Sequence, residues 1–170
     1  MEYSLIERDV ERELLPMARA FGMAVTPWSP LGGGVLSGKY NANPSVAGRL
    51  AEQLDEGTLR IADGVREIAE EIGHSSAQVA LAWLRSQPGT IIPIIGSRRA
   101  AQFRENLGCL DVQLTDDQVQ RLNELSRPRL GFPHEFLASD GVRRLIYGET
   151  FGKIDVSNRP HGSVRASWVV

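Results

Sequence analysis

The sequence predicts an α/β fold in which short parallel strands alternate with helices. Two apolar runs, at residues 23–28 and 90–95, have the length of buried strands and are bounded by glycine or proline turns. Elsewhere apolar residues recur at helical spacing, and two Ser/Thr-x-x-Gln capping boxes, at Ser75 and Thr115, mark helix starts. The alternation favours a parallel sheet, and a length of 170 residues suits one domain.

The first part of the chain reads as strand, helix, strand. Residues 2–6 resemble the end of a strand. The helix after them is predicted from apolar residues on one face, namely Val10, Leu14, Ala18 and Phe21, and Gly22 ends it. Pro16 predicts that this helix is kinked or begins just before the proline. The apolar run 23–28 follows as a strand.

The remainder reads as a long loop followed mainly by helices. After the connection at residues 37–57, a helix is predicted up to Gly73, and the Ser75 capping box opens the next. Beyond the strand at 90–95, further helices are predicted over residues 98–107, after Thr115, and within residues 139–148. From residue 155 onwards the sequence has no periodicity, which is typical of a loose tail.

The composition excludes several classes of partner. A net charge of −2 gives no basis for nucleic-acid or anionic-membrane binding, and every apolar run is shorter than a membrane span. The acidic N-terminus lacks the apolar core of a signal peptide. Cys109 is the only cysteine, which excludes an internal disulfide and predicts a reducing, cytoplasmic setting.

The segment WSPLGGGVLSGKY, residues 28–40, contains a partial phosphate-binding signature. Gly33 to Lys39 match the first seven positions of a P-loop, but Tyr40 replaces the Ser or Thr whose hydroxyl holds Mg²⁺. Pro44 also argues against the helix that a P-loop enters directly. The sequence therefore predicts that this segment is not a nucleotide-triphosphate site of the kinase or phosphatase kind.

The same loop still has groups that suit a phosphate. The glycines at 32–34 let the backbone approach a ligand and turn its amides inward. Ser29 offers a hydroxyl and Lys39 a cation, while Trp28, at the end of a strand, can stack on a flat heterocycle. The alternative is a tight turn with Trp28 in the core.

A second loop, after the strand at 90–95, carries similar chemistry. Gly96 frees the backbone, Ser97 is predicted to cap the following helix, and Arg98 places a guanidinium at the helix start, which suits a phosphate monoester. At helical spacing from Arg98 follow groups that suit adenine or ribose, namely Gln102, Glu105 and Asn106. The alternative is an ordinary solvated helix face.

Together these stretches resemble the aldo-keto reductase family. The resemblance lies in WSPLGGGVLSGKY (28–40) and IIGSRRAAQFREN (94–106), with weaker likeness at EYSL (2–5) and GFPH (131–134). It implies a (β/α)8 TIM barrel, of which this chain would be the C-terminal half, starting near the sixth strand. Residues 1–127 would form that half barrel, and residues 128–170 a partly irregular C-terminal extension.

The resemblance also implies how the chain would bind NADPH. Trp28 would stack on the nicotinamide, and the pyrophosphate would be lined by Ser29, Pro30, Leu31, Gly32 and Gly33. Lys39 and Arg49 would reach phosphate from the long loop. The region around the adenosine 2′-phosphate would be held by Gly96, Arg98 and Gln102. Glu105 and Asn106 would contact the adenine.

The family reduces an aldehyde or ketone with an Asp, a Tyr, a Lys and a His carried in its N-terminal half. No residue of this chain matches that tetrad, so the resemblance implies a truncated, cofactor-binding half without catalytic residues of its own. His74, His134 and His161 have no metal-ligand spacing, and no metal site is predicted.

Two other functions stay open. One is a non-catalytic NADPH-binding regulatory subunit, as in the beta subunits of potassium channels, and the other is an inert fragment. The expected partners are NADPH and, only where an N-terminal half is present, a small carbonyl substrate. The open strand edges of a half barrel predict association with a second half, self-association or marginal stability.

Overall fold

The computed structural model describes residues 1–38 and 54–154. Within these residues, three extended segments lie side by side and parallel, with residues 23–28 between residues 1–4 and 90–95. The Trp28 N–H donates to Met1 O at 3.0 Å on one side, and the Val25 N–H donates to Thr90 O at 2.8 Å on the other. The parallel direction predicted for the strands is confirmed for both pairs.

Prolines keep this pairing short. The Ile94 N–H donates to Pro27 O at 2.8 Å, but the preceding bond in the same register would need an N–H at position 27, which proline lacks. The extended segments therefore pair through single parallel bridges, and the prediction of continuous strands is wrong in that respect. Val25 is buried, whereas Ile92 and Ile94 are 53% and 55% exposed.

The first helix, α1 (Leu14–Ala20), begins just before Pro16, as predicted. Its end is also as predicted, since Gly22 has a φ of +65°. Val10, expected on the same helix, lies instead in a separate 3-10 turn, Asp9–Glu11.

The predicted Gly73 stop and Ser75 capping box are present in the next two helices, whereas the sequence did not predict the Asp55 N-cap. In α2 (Glu56–Ile72), Asp55 Oδ1 accepts the Thr58 N–H at 2.6 Å, and Gly73 ends the helix with a φ of +69°. α3 (Ser76–Ser86) opens with the predicted capping box, in which Ser75 and Gln78 exchange side-chain and backbone hydrogen bonds.

Two further helices complete the part of the fold that surrounds the core. α4 (Ala100–Leu107) starts two residues later than predicted, and Ser97 does not cap it; the N-cap is Arg99, without a side-chain cap bond. Instead, Gln102 Oε1 accepts the Arg98 N–H at 3.4 Å. α5 (Asp116–Leu125) has the predicted capping box at Thr115.

The last described segment forms α6 (His134–Ala138) and α7 (Asp140–Tyr147), followed by a 3-10 turn, Gly148–Lys153. α7 confirms the helix expected within residues 139–148. The two helices pack against each other and leave apolar side chains in solvent, with Leu145 85% exposed. The tail predicted from residue 155 lies outside the described residues.

The core lies between the extended segments and helices α1, α2, α3 and α5. Its largest fully buried side chains include Tyr3, Leu36, Ile68, Trp83 and Leu122. This core fixes the segments that carry the two glycine loops. No helix among the described residues is long and apolar enough to cross a bilayer.

Candidate active site

The two glycine loops meet in one open cleft of about 800 Å³. They follow the segments 23–28 and 90–95, which run parallel and adjacent, so both loops leave the same edge. Of the predicted site residues, the cleft is lined by Trp28, Ser29, Pro30, Leu31, Gly33, Gly96, Arg98 and Gln102.

Trp28 forms the aromatic wall of the cleft. Its side chain is 50% exposed, so the alternative that placed the indole in the core does not hold. Ser29, directly after it, has a φ of +56°, which is unusual for a residue with a side chain. Such a conformation persists where the surrounding structure holds it, and it is common at ligand sites.

The glycines at 32–34 all have positive φ, between +53° and +96°. The Gly32 N–H donates to Ser29 O and the Gly34 N–H to Leu31 O, both at 2.9 Å. The expectation that these two amides turn towards a ligand is therefore wrong, because the turn itself uses them. Gly32 is buried, and a Cβ there would collide with Ile6.

The cleft lining also contains two cationic side chains. Arg98 and Arg99 both line it, both are exposed, and neither forms an ion pair within residues 1–38 and 54–154. No Asp or Glu is found among the described lining residues. An anionic ligand would therefore meet two guanidinium groups without competition from a carboxylate.

Several predicted site residues are not placed in this lining. Asn106 is buried on α4, and its side-chain Nδ2 has no hydrogen-bond partner among the described residues. Glu105, beside it, is exposed, and its backbone carbonyl accepts from Gln78 Nε2 at 2.8 Å. Lys39 and Arg49 lie outside the described residues.

Sequence reasoning missed part of the lining, namely Ser37, Ile94, Ile95, Ser97 and Arg99. Arg99 could have been predicted from the sequence, because it is next to Arg98 and follows the same glycine. Among the described residues, no group of three His, Cys, Asp or Glu side chains could hold a metal ion.

Comparison with known proteins identifies the fold family. The sequence model of the family described as "Aldo/keto reductase family" matches residues 1–127. The chain belongs to the aldo-keto reductase family. The resemblance inferred from the two loops is thereby confirmed, and the fold implied for the family is the (β/α)8 barrel.

Individual aldo-keto reductase relatives differ in their described roles. The chain is 38% identical to a probable voltage-gated potassium channel subunit beta of Oryza sativa subsp. japonica, over 75% of this chain and 44% of that protein. It is 31% identical to the aryl-alcohol dehydrogenase [NADP(+)] of Phanerodontia chrysosporium, over 91% of this chain and 42% of that protein.

A solved aldo-keto reductase has a similar structure. The thermostable enzyme Tm1743, crystallised with the inhibitor epalrestat, matches with a TM-score of 0.56 and 25% identity, over 73% of this chain and 38% of that one. The chain therefore spans less than half the length of these three proteins.

Proposed function

We propose that this chain binds NADPH in the cleft and supplies the cofactor-binding part of a reductase that converts an aldehyde or ketone to an alcohol. The observation that carries this proposal is the joint cleft, whose lining includes an indole and two arginines. An extended dinucleotide has a flat ring and a phosphate-bearing end, which match the indole and the guanidinium groups in chemistry.

The donor set of the cleft suits NADPH in particular. Trp28 would pack against the nicotinamide, and the turn from Ser29 to Gly33 would lie along the pyrophosphate. Arg98, Arg99 and Gln102 would hold the adenosine 2′-phosphate, which carries more charge than the hydroxyl of NADH. The fungal relative whose name includes NADP(+) supports this choice. When bound, NADPH would supply the hydride.

Residues 1–38 and 54–154 place no tyrosine at this cleft that could act as proton donor. Tyr3 is only 1% exposed and donates its hydroxyl to Glu11 Oε1 at 2.8 Å. Burial and the Glu11 carboxylate raise the pKa of Tyr3 above its usual value, which makes it a poor acid. We therefore propose that this chain alone binds NADPH without turnover.

Titration of the full chain with NADPH tests this proposal, with the nicotinamide fluorescence as the signal. Saturable binding is expected, and addition of an aromatic aldehyde should cause no NADPH oxidation. Absence of binding would contradict the cofactor proposal, and NADPH oxidation would contradict the proposed lack of turnover.

A second candidate is a non-catalytic NADPH-binding regulatory subunit, which the 38% identity to a potassium channel beta subunit favours. Adding a polypeptide with the N-terminal half of a family barrel distinguishes the two. The reductase proposal predicts that aldehyde reduction appears, whereas the regulatory candidate predicts NADPH binding without reduction.

Self-association is a further part of the proposal. The half-exposed Ile92 and Ile94 lie on an extended segment whose second edge has no bridge to another described residue, and this edge could pair with another copy. Size-exclusion chromatography with light scattering should give a mass above that of the monomer, and a monomer at all concentrations would contradict this part.

A further inference from the structure

A buried polar cluster lies beneath the extended segments and outside the cleft lining. It centres on Glu11, whose Oε1 accepts the Tyr3 hydroxyl at 2.8 Å and Arg8 Nε at 2.7 Å, while its Oε2 accepts Arg8 Nη2 at 3.0 Å. The side chains of Arg8 and Glu11 are 4% and 3% exposed. A buried ion pair of this kind is tolerated only where its remaining polar atoms are also bonded.

The cluster is anchored on its far side by α5. Arg8 Nη1 donates to Ser126 Oγ at 2.7 Å and to the backbone carbonyls of Asn123 and Ser126 at 3.1 and 3.3 Å. The Arg8 guanidinium lies 5.2 Å from the centre of the Trp83 ring, and Trp83 Nε1 donates to Asn123 Oδ1 at 3.0 Å. Arg8 is thus fixed by the end of a helix that packs in the core, and a fully bonded network of this kind is rigid.

The near side of the cluster is connected to the cleft through the backbone. Tyr3 belongs to the segment that pairs with Trp28. The Trp28 N–H donates to Met1 O at 3.0 Å, and Trp28 O accepts the Tyr3 N–H at 3.4 Å. Both backbone polar groups of Trp28 therefore bond to the segment that the Tyr3 side chain anchors.

The residue after Trp28 shows why such anchoring matters. Ser29 has a φ of +56°, and a non-glycine residue keeps this backbone conformation only where its neighbours hold it. Movement of the 1–4 segment would release Trp28 and Ser29 together, at the point where the indole enters the cleft.

We propose that the cluster of Tyr3, Arg8 and Glu11 positions the Trp28 indole, and through it the aromatic wall of the cleft. The end of α5 binds the Arg8 guanidinium, which in turn binds the Glu11 carboxylate. Glu11 accepts the Tyr3 hydroxyl, and the backbone of residues 1–3 bonds to that of Trp28. None of the three residues lines the cleft, so they act on a ligand only through Trp28. The consequence for NADPH affinity rests on the proposed function, whereas the consequence for Trp28 does not.

The test replaces Tyr3 by phenylalanine in the full chain labelled with 5-fluorotryptophan. The ¹⁹F resonance of Trp28 is assigned by its loss in Trp28→Phe and is recorded without ligand. In Tyr3→Phe this resonance is expected to shift and broaden, because the hydrogen bond from the Tyr3 hydroxyl to Glu11, which connects the 1–4 segment to the cluster, is lost. The dissociation constant for NADPH is expected to rise about three- to tenfold, as for one hydrogen bond.

Ile68→Val is the matched control, because Ile68 lies in the same core, is 2% exposed and has no side-chain hydrogen bond to the cluster. It should lower thermal stability while leaving the Trp28 resonance in place and the NADPH dissociation constant within about twofold of wild type. A Trp28 resonance that is unchanged in Tyr3→Phe, or equally shifted in Ile68→Val, would overturn the proposal.

The two proposals can fail separately. Should wild type not bind NADPH, the proposed function fails, while the Trp28 resonance of Tyr3→Phe still decides the positioning role. Should Tyr3→Phe not fold, Ser126→Ala removes a hydrogen-bond acceptor of Arg8 at the far end of the cluster and is judged by the same resonance.

Discussion

The most informative single substitution is Arg98→Ala. Arg98 is exposed in the cleft lining and has no ion pair within the described residues, so its removal leaves no buried carboxylate unpaired. A hydrogen bond between charged groups contributes about 1.5–3 kcal/mol when shielded from water. Solvent exposure and the remaining charge of Arg99 reduce that value, and we expect a loss of about 1.5 kcal/mol, or roughly tenfold in NADPH affinity.

NADH provides an internal comparison because it lacks the 2′-phosphate. Fluorescence titrations of wild type and Arg98→Ala with each cofactor should give about a tenfold weaker NADPH complex and a change within about twofold for NADH. Arg104→Ala is the control, because Arg104 is also an exposed arginine on α4 but lies outside the cleft lining.

Equal losses of affinity for NADPH and NADH would refute the assignment of Arg98 to the 2′-phosphate. A loss in Arg104→Ala as large as that in Arg98→Ala would also refute it, since the effect would then reflect the charge of the whole protein.

Three further predictions concern stability. Leu122→Ala should cost about 3 kcal/mol in urea unfolding, because Leu122 is fully buried between helices. Gly32→Ala should lower both thermal stability and NADPH affinity, since the added Cβ would collide with Ile6. Gly22 has a similar positive φ but open space around it, so the control Gly22→Ala should lower stability less and leave NADPH affinity unchanged. Glu71 forms an ion pair with an arginine of α5, and this pair holds the pKa of Glu71 below its usual value. The pair therefore stabilises the fold above about pH 4.3, and this stabilisation is lost as the pH falls through the lowered pKa. The difference in Tm between wild type and Glu71→Gln should therefore be present at pH 7 and shrink as the pH falls through the lowered pKa, and a difference that stays unchanged in acid would contradict this.

Features encoded by neighbouring residues were predictable from the sequence. The capping boxes at Ser75 and Thr115 formed as predicted because each needs only two residues three positions apart. The meeting of the two glycine loops was also predictable, since parallel neighbouring strands present their carboxyl ends at one edge.

Features that depend on distant or competing partners were not predictable. Arg8 bonds to Ser126, far along the chain, and nothing near Arg8 in the sequence signals that partner. Ser97 had a suitable hydroxyl, but Gln102 accepts the Arg98 N–H instead. Pro27 removes an N–H that the ladder needs, although the apolar run around it looked like a continuous strand.

The central claim, that one dinucleotide bridges both glycine loops, is tested most directly by ¹H–¹⁵N correlation spectra recorded during titration with NADPH. Amide signals from the turn at residues 29–34 and from residues 96–102 should shift together with one dissociation constant, while adenosine 2′,5′-bisphosphate should shift only the second group. Shifts confined to one loop, or two groups that titrate with different constants for NADPH, would contradict it.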